Sequence, residues 1–154
     1  MKDNFIEEIA VFIKKHSKNY NIMCNSAIIA QACLESNFGL SFKAQHHNYF
    51  GLKYRDNRVN CNDGIFYDGG SEQNKDGSYI NLPNKTTWYS FSNMEQGVLG
   101  YLQFINTSNY ANLKGVTDPR RYLELIKQDK YATSLDYVDK VMNVVDKYGL
   151  RKYD

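Results

Sequence analysis

In the stretch Ala30-Gln31-Ala32-Cys33-Leu34-Glu35-Ser36-Asn37-Phe38-Gly39, one carboxylate stands near the end of an apolar segment, just before a glycine. Counted back from Glu35 in helical steps, Gln31 and Ala32 lie one turn earlier and Ile28 two turns earlier, on one stripe. The spacing predicts an amphipathic helix stopped by Gly39, with the carboxylate at its apolar edge rather than on its wet side. Partial desolvation there disfavours the charged form and raises the carboxyl pKa. A proton held near neutral pH is what a general acid needs. A helix-terminal glutamate is otherwise an ordinary solvated residue, so spacing alone does not assign it chemistry.

The rest of the chain extends this helical pattern in both directions. Before it, Phe5, Ile6, Ile9, Phe12 and Ile13 form one face of a first helix, with Asn4 as its cap and Glu7 as the capping-box partner. Asn25 or Ser26 is the expected cap of the helix that carries Glu35. From Tyr54 to Phe91 the pattern changes: Asp63-Gly64, Asp68-Gly69 and Asp76-Gly77 punctuate short runs such as Ile65-Phe66-Tyr67 and Thr86-Thr87-Trp88, which read as small antiparallel hairpins. Ser92-Asn93-Met94-Glu95 is a capping box that opens a third helix on Met94, Val98, Leu102 and Ile105. Asp118-Pro119 starts a fourth, and a last helix runs from about Leu135 to Tyr148, where Gly149 stops it. The expectation is an α+β, mainly α, fold: a helical lobe and a small antiparallel β-lobe inserted at about 54–91.

A length of 154 residues fits one domain, 1–154, with a sizeable core. The net charge of +2 and the lack of a basic block argue against nucleic acid as partner. Tyr, Phe and Trp make 14% of the chain, and tyrosine suits partly wet grooves and sugar rings. Cys24, Cys33 and Cys61 show no metal-ligand spacing, and their odd number argues against a disulfide framework. His46-His47 point in different directions and read as loop residues; no cysteine is paired with a histidine as a nucleophile would be. No cofactor and no metal are indicated. No run approaches a membrane span, and Met1-Lys2-Asp3-Asn4 opens no signal-peptide apolar region, so no membrane partner and no export signal in this chain are expected. Nothing calls for a partner chain, and a monomer is expected.

The Glu35 stretch, Gly39-Leu40-Ser41 and Asn48-Tyr49-Phe50-Gly51-Leu52-Lys53 together resemble the glycoside hydrolase family 73 glucosaminidases, which cut bacterial peptidoglycan. The family pattern looks like A-Q-x-x-L-E-S-x-x-G-x-S followed by N-x-F-G-x-K. The resemblance implies a lysozyme-like fold with a groove between two lobes, and places Glu35 at the general acid. It implies an endo-β-N-acetylglucosaminidase that cuts the β-1,4 bond between GlcNAc and MurNAc, with peptidoglycan glycan strands as partner and the cell wall, or secretion towards it, as location. A phage lysin of this kind would be made in the host cytoplasm.

Glycoside hydrolysis also needs a group on the other face, for water or for the oxocarbenium-like charge. Asp56, Asp63, Asp68, Glu72 and Asp76 are the candidates, and composition does not choose among them. The family's second glutamate lies about this far along in a T-x-E-Y-like context, which points to Glu72, although the local text here is Gly-Ser-Glu-Gln. Tyr131-Ala132-Thr133 resembles the family's G-Y-A-T stretch, with Lys130 in place of the glycine. Tyr131 falls at an active-site tyrosine positioned for the N-acetyl group or water; Tyr137 and Tyr110 match further tyrosines near the groove. Gln31, Ser41, Asn48 and Phe91 are further candidates for substrate binding. The rival readings are a muramidase or lytic transglycosylase on the same fold, a wall-binding module without catalysis, and a wall-penetrating part of a phage tail or secretion machine.

Overall fold

The computed structural model describes residues 1–154, and the chain begins with α1 (Lys2–His16), which buries Phe5, Ile6, Ile9, Ala10 and Ile13. The expected cap at Asn4 does not form: the helix starts earlier and Met1 takes the N-cap position. Lys14, Lys15 and His16 crowd its last turn, where the helix dipole favours cations. A 3-10 turn at Ser17–Tyr20 leads into α2 (Asn25–Ser36).

α2 differs from the expected amphipathic helix. Every residue from Ser26 to Cys33 is buried, so the helix has no wet side until its last turn. Small residues at Ala27, Ala30 and Ala32 let neighbouring helices close around it. Neither Asn25 nor Ser26 caps it from its own side chain. The Asp154 carboxylate does so from the other end of the chain, accepting from Ser26 N at 2.7 Å and from Ser26 Oγ at 2.6 Å. The helix also ends before Gly39: Asn37, Phe38 and Gly39 are all left-handed, with φ of 47°, 54° and 81°. A single turn, α3 (Phe42–Gln45), follows, capped by Ser41, whose Oγ accepts from Ala44 N.

The β-lobe is one long hairpin, β1 (Gly64–Gln73) with β2 (Tyr79–Ser90), rather than several small ones. Only Asp76-Gly77 forms its turn, the Asp76 carboxylate accepting from Ser78 N and Ser78 Oγ. Asp68-Gly69 lies inside β1, where the register shifts between Asp68 and Gly70. Asp68 pairs with Thr86 and Gly70 with Leu82, so Pro83-Asn84-Lys85 bulge opposite Gly69. A proline that cannot donate to the ladder is tolerated at such a bulge.

Three helices complete the helical lobe. α4 (Met94–Ile105) is capped one residue later than the Ser92 box implies: Asn93 accepts from Gln96 N, and the Glu95 carboxylate goes to Lys15 and His16 instead. The tip of the Phe91 ring presses on this helix, since a Cβ at Gly100 would come within 2.3 Å of its Cζ. α5 (Pro119–Gln128) has Asp118 as its cap and proline in its first turn, as its sequence suggests. α6 (Tyr137–Lys147) is shorter than expected and stops before Gly149, which is left-handed. α1, α5 and α6 pack on α2, and the core sits around it. The chain is thus α+β and mainly helical, with the expected two lobes. No helix is long and apolar enough to cross a membrane.

Candidate active site

Glu35 emerges from the last turn of α2 into a groove of about 410 Å³ between the helical lobe and the hairpin. Its carboxyl is half-buried and abuts the backbone of Gly51: a Cβ at that glycine would lie 3.1 Å from Glu35 Oε2. Burial raises the Glu35 pKa to about 7, and the Lys43 ammonium opposes part of that rise. At neutral pH this carboxyl therefore keeps a substantial fraction of its proton.

The segment after Gly51 links the two lobes. Tyr89 N donates to Leu52 O and Tyr54 N donates to Thr87 O, so residues 52–54 run beside β2, with Lys53 paired to Trp88. Asn48, almost fully buried, fastens this segment by donating to the carbonyls of Leu52 and Tyr89 and accepting from Leu52 N. Lys53 reaches β1 and forms an ion pair and hydrogen bond with Glu72, which faces the groove from the hairpin. Lys43 Nζ sits 4.2 Å from the Trp88 ring centroid and 3.6 Å from the Asp68 carboxylate. Glu35 and Glu72 thus line one groove from opposite lobes, with Lys43, Lys53 and Trp88 among the side chains between them.

Tyr131 also lines the groove, but its hydroxyl proton is engaged: it donates to Phe50 O at 2.8 Å, directly before the glycine that touches Glu35. Burial holds its pKa well above the usual tyrosine value, with nearby Tyr137 and Glu35 adding to the rise. Tyr137 lines the same wall with the opposite polarity. Its oxygen accepts from Gln31 Nε2 at 2.8 Å, which leaves its own proton free. Behind it, Tyr101 donates to Gln31 Oε1 at 2.6 Å and lies 2.6 Å from the Tyr122 hydroxyl. This buried polar network fixes the wall on which both groove tyrosines stand.

Glu35, Glu72, Tyr110, Tyr131 and Tyr137 are therefore brought to one groove. Gln31, Ser41, Asn48 and Phe91 are not. Gln31 is fully buried behind Tyr137, Ser41 caps α3, Asn48 braces the 48–52 loop, and Phe91 is covered by α4. The groove also contains residues that the sequence did not single out: Lys43, Lys53, Arg55 and Trp88. Lys53 closes the N-x-F-G-x-K pattern, so its position was visible in the sequence although its ion pair was not. No group of three or more His, Cys, Asp or Glu side chains is placed to hold a metal ion.

Comparison with known proteins agrees with this architecture. The glucosaminidase profile, described as mannosyl-glycoprotein endo-beta-N-acetylglucosaminidase, matches residues 10–150. The chain is 30% identical over 164 residues to Exo-glucosaminidase LytG of Bacillus subtilis (strain 168), covering 97% of this chain and 55% of that protein. It is 26% identical over 152 residues to Peptidoglycan hydrolase FlgJ of Pseudomonas aeruginosa, covering 92% of this chain and 36% of that protein. It thus spans about half, or less, of these relatives. The catalytic domain of the autolysin Auto from Listeria monocytogenes superposes with a TM-score of 0.77 at 22% identity, over 99% of this chain and 87% of that one, a likeness of fold.

Proposed function

The chain belongs to the glucosaminidase family of glycoside hydrolases, and from that premise we propose that it cuts peptidoglycan strands at the β-1,4 bond on the reducing side of GlcNAc, next to MurNAc. The observation that carries this reading is the Glu35 carboxyl, pressed against Gly51 with its pKa at about 7, in a groove that also holds Glu72. Glu35 protonates the leaving oxygen. Glu72, ion-paired to Lys53, acts on the attacking water or on the cationic transition state from the opposite lobe.

The two tyrosines divide the positioning. Tyr131 holds the Phe50 carbonyl and so fixes Gly51 against the acid, while its oxygen can still accept a hydrogen bond from an N-acetyl N–H. Tyr137, with its oxygen already bound by Gln31, has a proton to donate to an acetyl carbonyl or to water. The proposed site of action is the bacterial wall, and the proposed active unit is the single chain.

Cleavage within strands is the first reading. Cleavage from an end is the second, favoured by one contact: Gln73 Oε1 at the hairpin tip accepts from Leu135 N at 2.9 Å, fastening the hairpin to the opposite rim. A strand must then thread under the hairpin or wait for it to lift.

Digestion of purified peptidoglycan by wild type and Glu35→Gln, with borohydride reduction and mass spectrometry, tests the proposal. Reduced GlcNAc ends that vanish in the variant support it. Reduced MurNAc ends or anhydro-sugars would transfer the chain to the muramidase or transglycosylase reading, and no release by either protein would leave only a binding module. The size of the early products separates internal from terminal cleavage.

A further inference from the structure

The chain as a whole is almost balanced, with 19 cationic and 17 acidic side chains. Its groove is not: five cations line it (Lys43, Lys53, Arg55, Lys130 and Lys140) against the two carboxylates Glu35 and Glu72. Three of the cations have acidic partners: Lys43 at Asp68, Lys53 at Glu72, and Lys140 at Asp136 at 3.3 Å. Arg55 and Lys130 have none within ion-pair distance.

Both residues are held in place by their backbone. The Tyr89 hydroxyl accepts from Arg55 N and donates to Arg55 O, and the only hydrogen bond of the guanidinium is from Nη1 to the neighbouring Tyr54 carbonyl. The backbone of Arg55 is thus anchored, and its guanidinium, apart from Nη1 on the Tyr54 carbonyl, has no partner and no carboxylate to pair with. Lys130 is left-handed, with φ +77°, where glycine would be free of strain. A strained backbone thus carries a long cation into the groove, one residue before Tyr131.

The aromatic rings beside them complete a pattern. Phe104 meets Tyr131 edge-on with centroids 6.2 Å apart and Tyr110 at 6.3 Å, and all three line the groove. The Arg58 guanidinium already covers part of this surface, 4.2 Å from the Phe104 centroid. The groove-lining side of the rings suits a sugar ring, and the Arg55 guanidinium with the Lys130 ammonium suits a carboxylate. A neutral glycan would use the rings and leave both cations unpaired.

We propose that Arg55 and Lys130, flanking the Phe104–Tyr110 surface, form a specificity subsite that reads free carboxylates on the stem peptides of the glycan strand. The inference rests on the hydrolase reading for the identity of the ligand and names the strand feature that this groove prefers.

The test measures binding and hydrolysis separately. Glu35→Gln protein is titrated calorimetrically with soluble peptidoglycan strands carrying free stem-peptide carboxylates, and with the same strands after chemical amidation. Wild-type hydrolysis of both preparations is followed in parallel. The expected result is tighter binding of the free-carboxylate strands. That preference should shrink by up to about fivefold when Lys130→Gly or Arg55→Gln is added, the upper end for an exposed ion pair, and should shrink again in high salt. Lys130→Gly sits at a φ that glycine adopts freely, and Lys130→Gln removes the charge while keeping a long side chain. Equal binding of the two strand preparations, or a preference that both substitutions leave intact, would overturn the subsite. A binding preference with no hydrolysis by wild type would support the subsite and sink the hydrolase reading.

Discussion

Replacing Gly51 by alanine tests the contact on which the acid's environment depends. Gly51 has φ +65°, and a left-handed alanine costs about 1–2 kcal/mol. In a domain of this size that lowers Tm by about 2–8 °C. The new methyl would also stand 3.1 Å from Glu35 Oε2, closer than ordinary van der Waals contact, so the loop or the carboxyl must yield by a few tenths of an ångström. A 1 Å misplacement of a reacting group costs about 10²-fold, so the smaller shift here should cost kcat on the order of tenfold. Gly115→Ala is the control, because its φ is +77° and its nearest neighbour, Asn21 Nδ2, is 4.0 Å away. Thermal melts and steady-state digestion of peptidoglycan, run on both variants, separate backbone strain from the site effect. Both should melt lower; only Gly51→Ala should lose kcat beyond its folded fraction. If the two variants keep the same kcat, the carboxyl does not rest on Gly51 and its burial has been misassigned.

Three further outcomes follow from the same geometry. Glu35→Gln should be more stable than wild type at pH 8 by about 1–3 kcal/mol and lose that advantage at pH 4. The sign follows from a folded-state pKa of about 7 against 4.5: the folded chain keeps a proton that the unfolded chain has released, so wild-type stability falls as pH rises from about 4.5 to 7. Denaturant unfolding at the two pH values checks it, and a gap that does not vary with pH would contradict it. Tyr131→Phe should cost about 1–3 kcal/mol by leaving the Phe50 carbonyl without its donor. Its kcat should fall more than KM rises, whereas a pure KM effect would mean that the phenol only binds substrate. Glu72→Gln should lower kcat by about 10²-fold or more, with Lys53→Met lowering it by less, since that change removes the partner of Glu72 and keeps the carboxylate. Equal losses would make the ammonium, rather than the carboxylate, the acting group.

What could be read in the sequence was local. The position of Glu35 followed from helical spacing, and the starts of α4 and α5 from capping residues, because those features depend on neighbours within one turn. The burial of α2 on all faces was not readable in this way. Its run of Ala, Ile and Cys carries no period, and only packing by α1, α5 and α6 shows it to be the centre of the fold. Asp68-Gly69 has the composition of a turn but lies in a strand, because its partner strand carries the bulge. Gln31 shares a stripe with Glu35, which by itself points to the groove. Its partners, Tyr101 and Tyr137, are 70 and 106 residues away, and they turn it into the buried brace of the tyrosine wall. Phe91 has the composition of a substrate-binding aromatic, yet the close approach permitted by Gly100 buries it. The family resemblance supplied Glu72 where composition left five carboxylates open. Its ion pair with Lys53 joins residues 19 apart through the segment beside β2, a contact that no local pattern encodes.

The most direct test of the account is the pH dependence of kcat/KM for hydrolysis of soluble glycan strands by wild type. A general acid must carry its proton, so the profile should fall on the alkaline side with an apparent pKa near the value of about 7 that burial gives Glu35. The fall should be absent from the residual activity of Glu35→Gln. An alkaline limb near the ordinary carboxylate range, or one that survives in the variant, would contradict the claim that Glu35 is the acid.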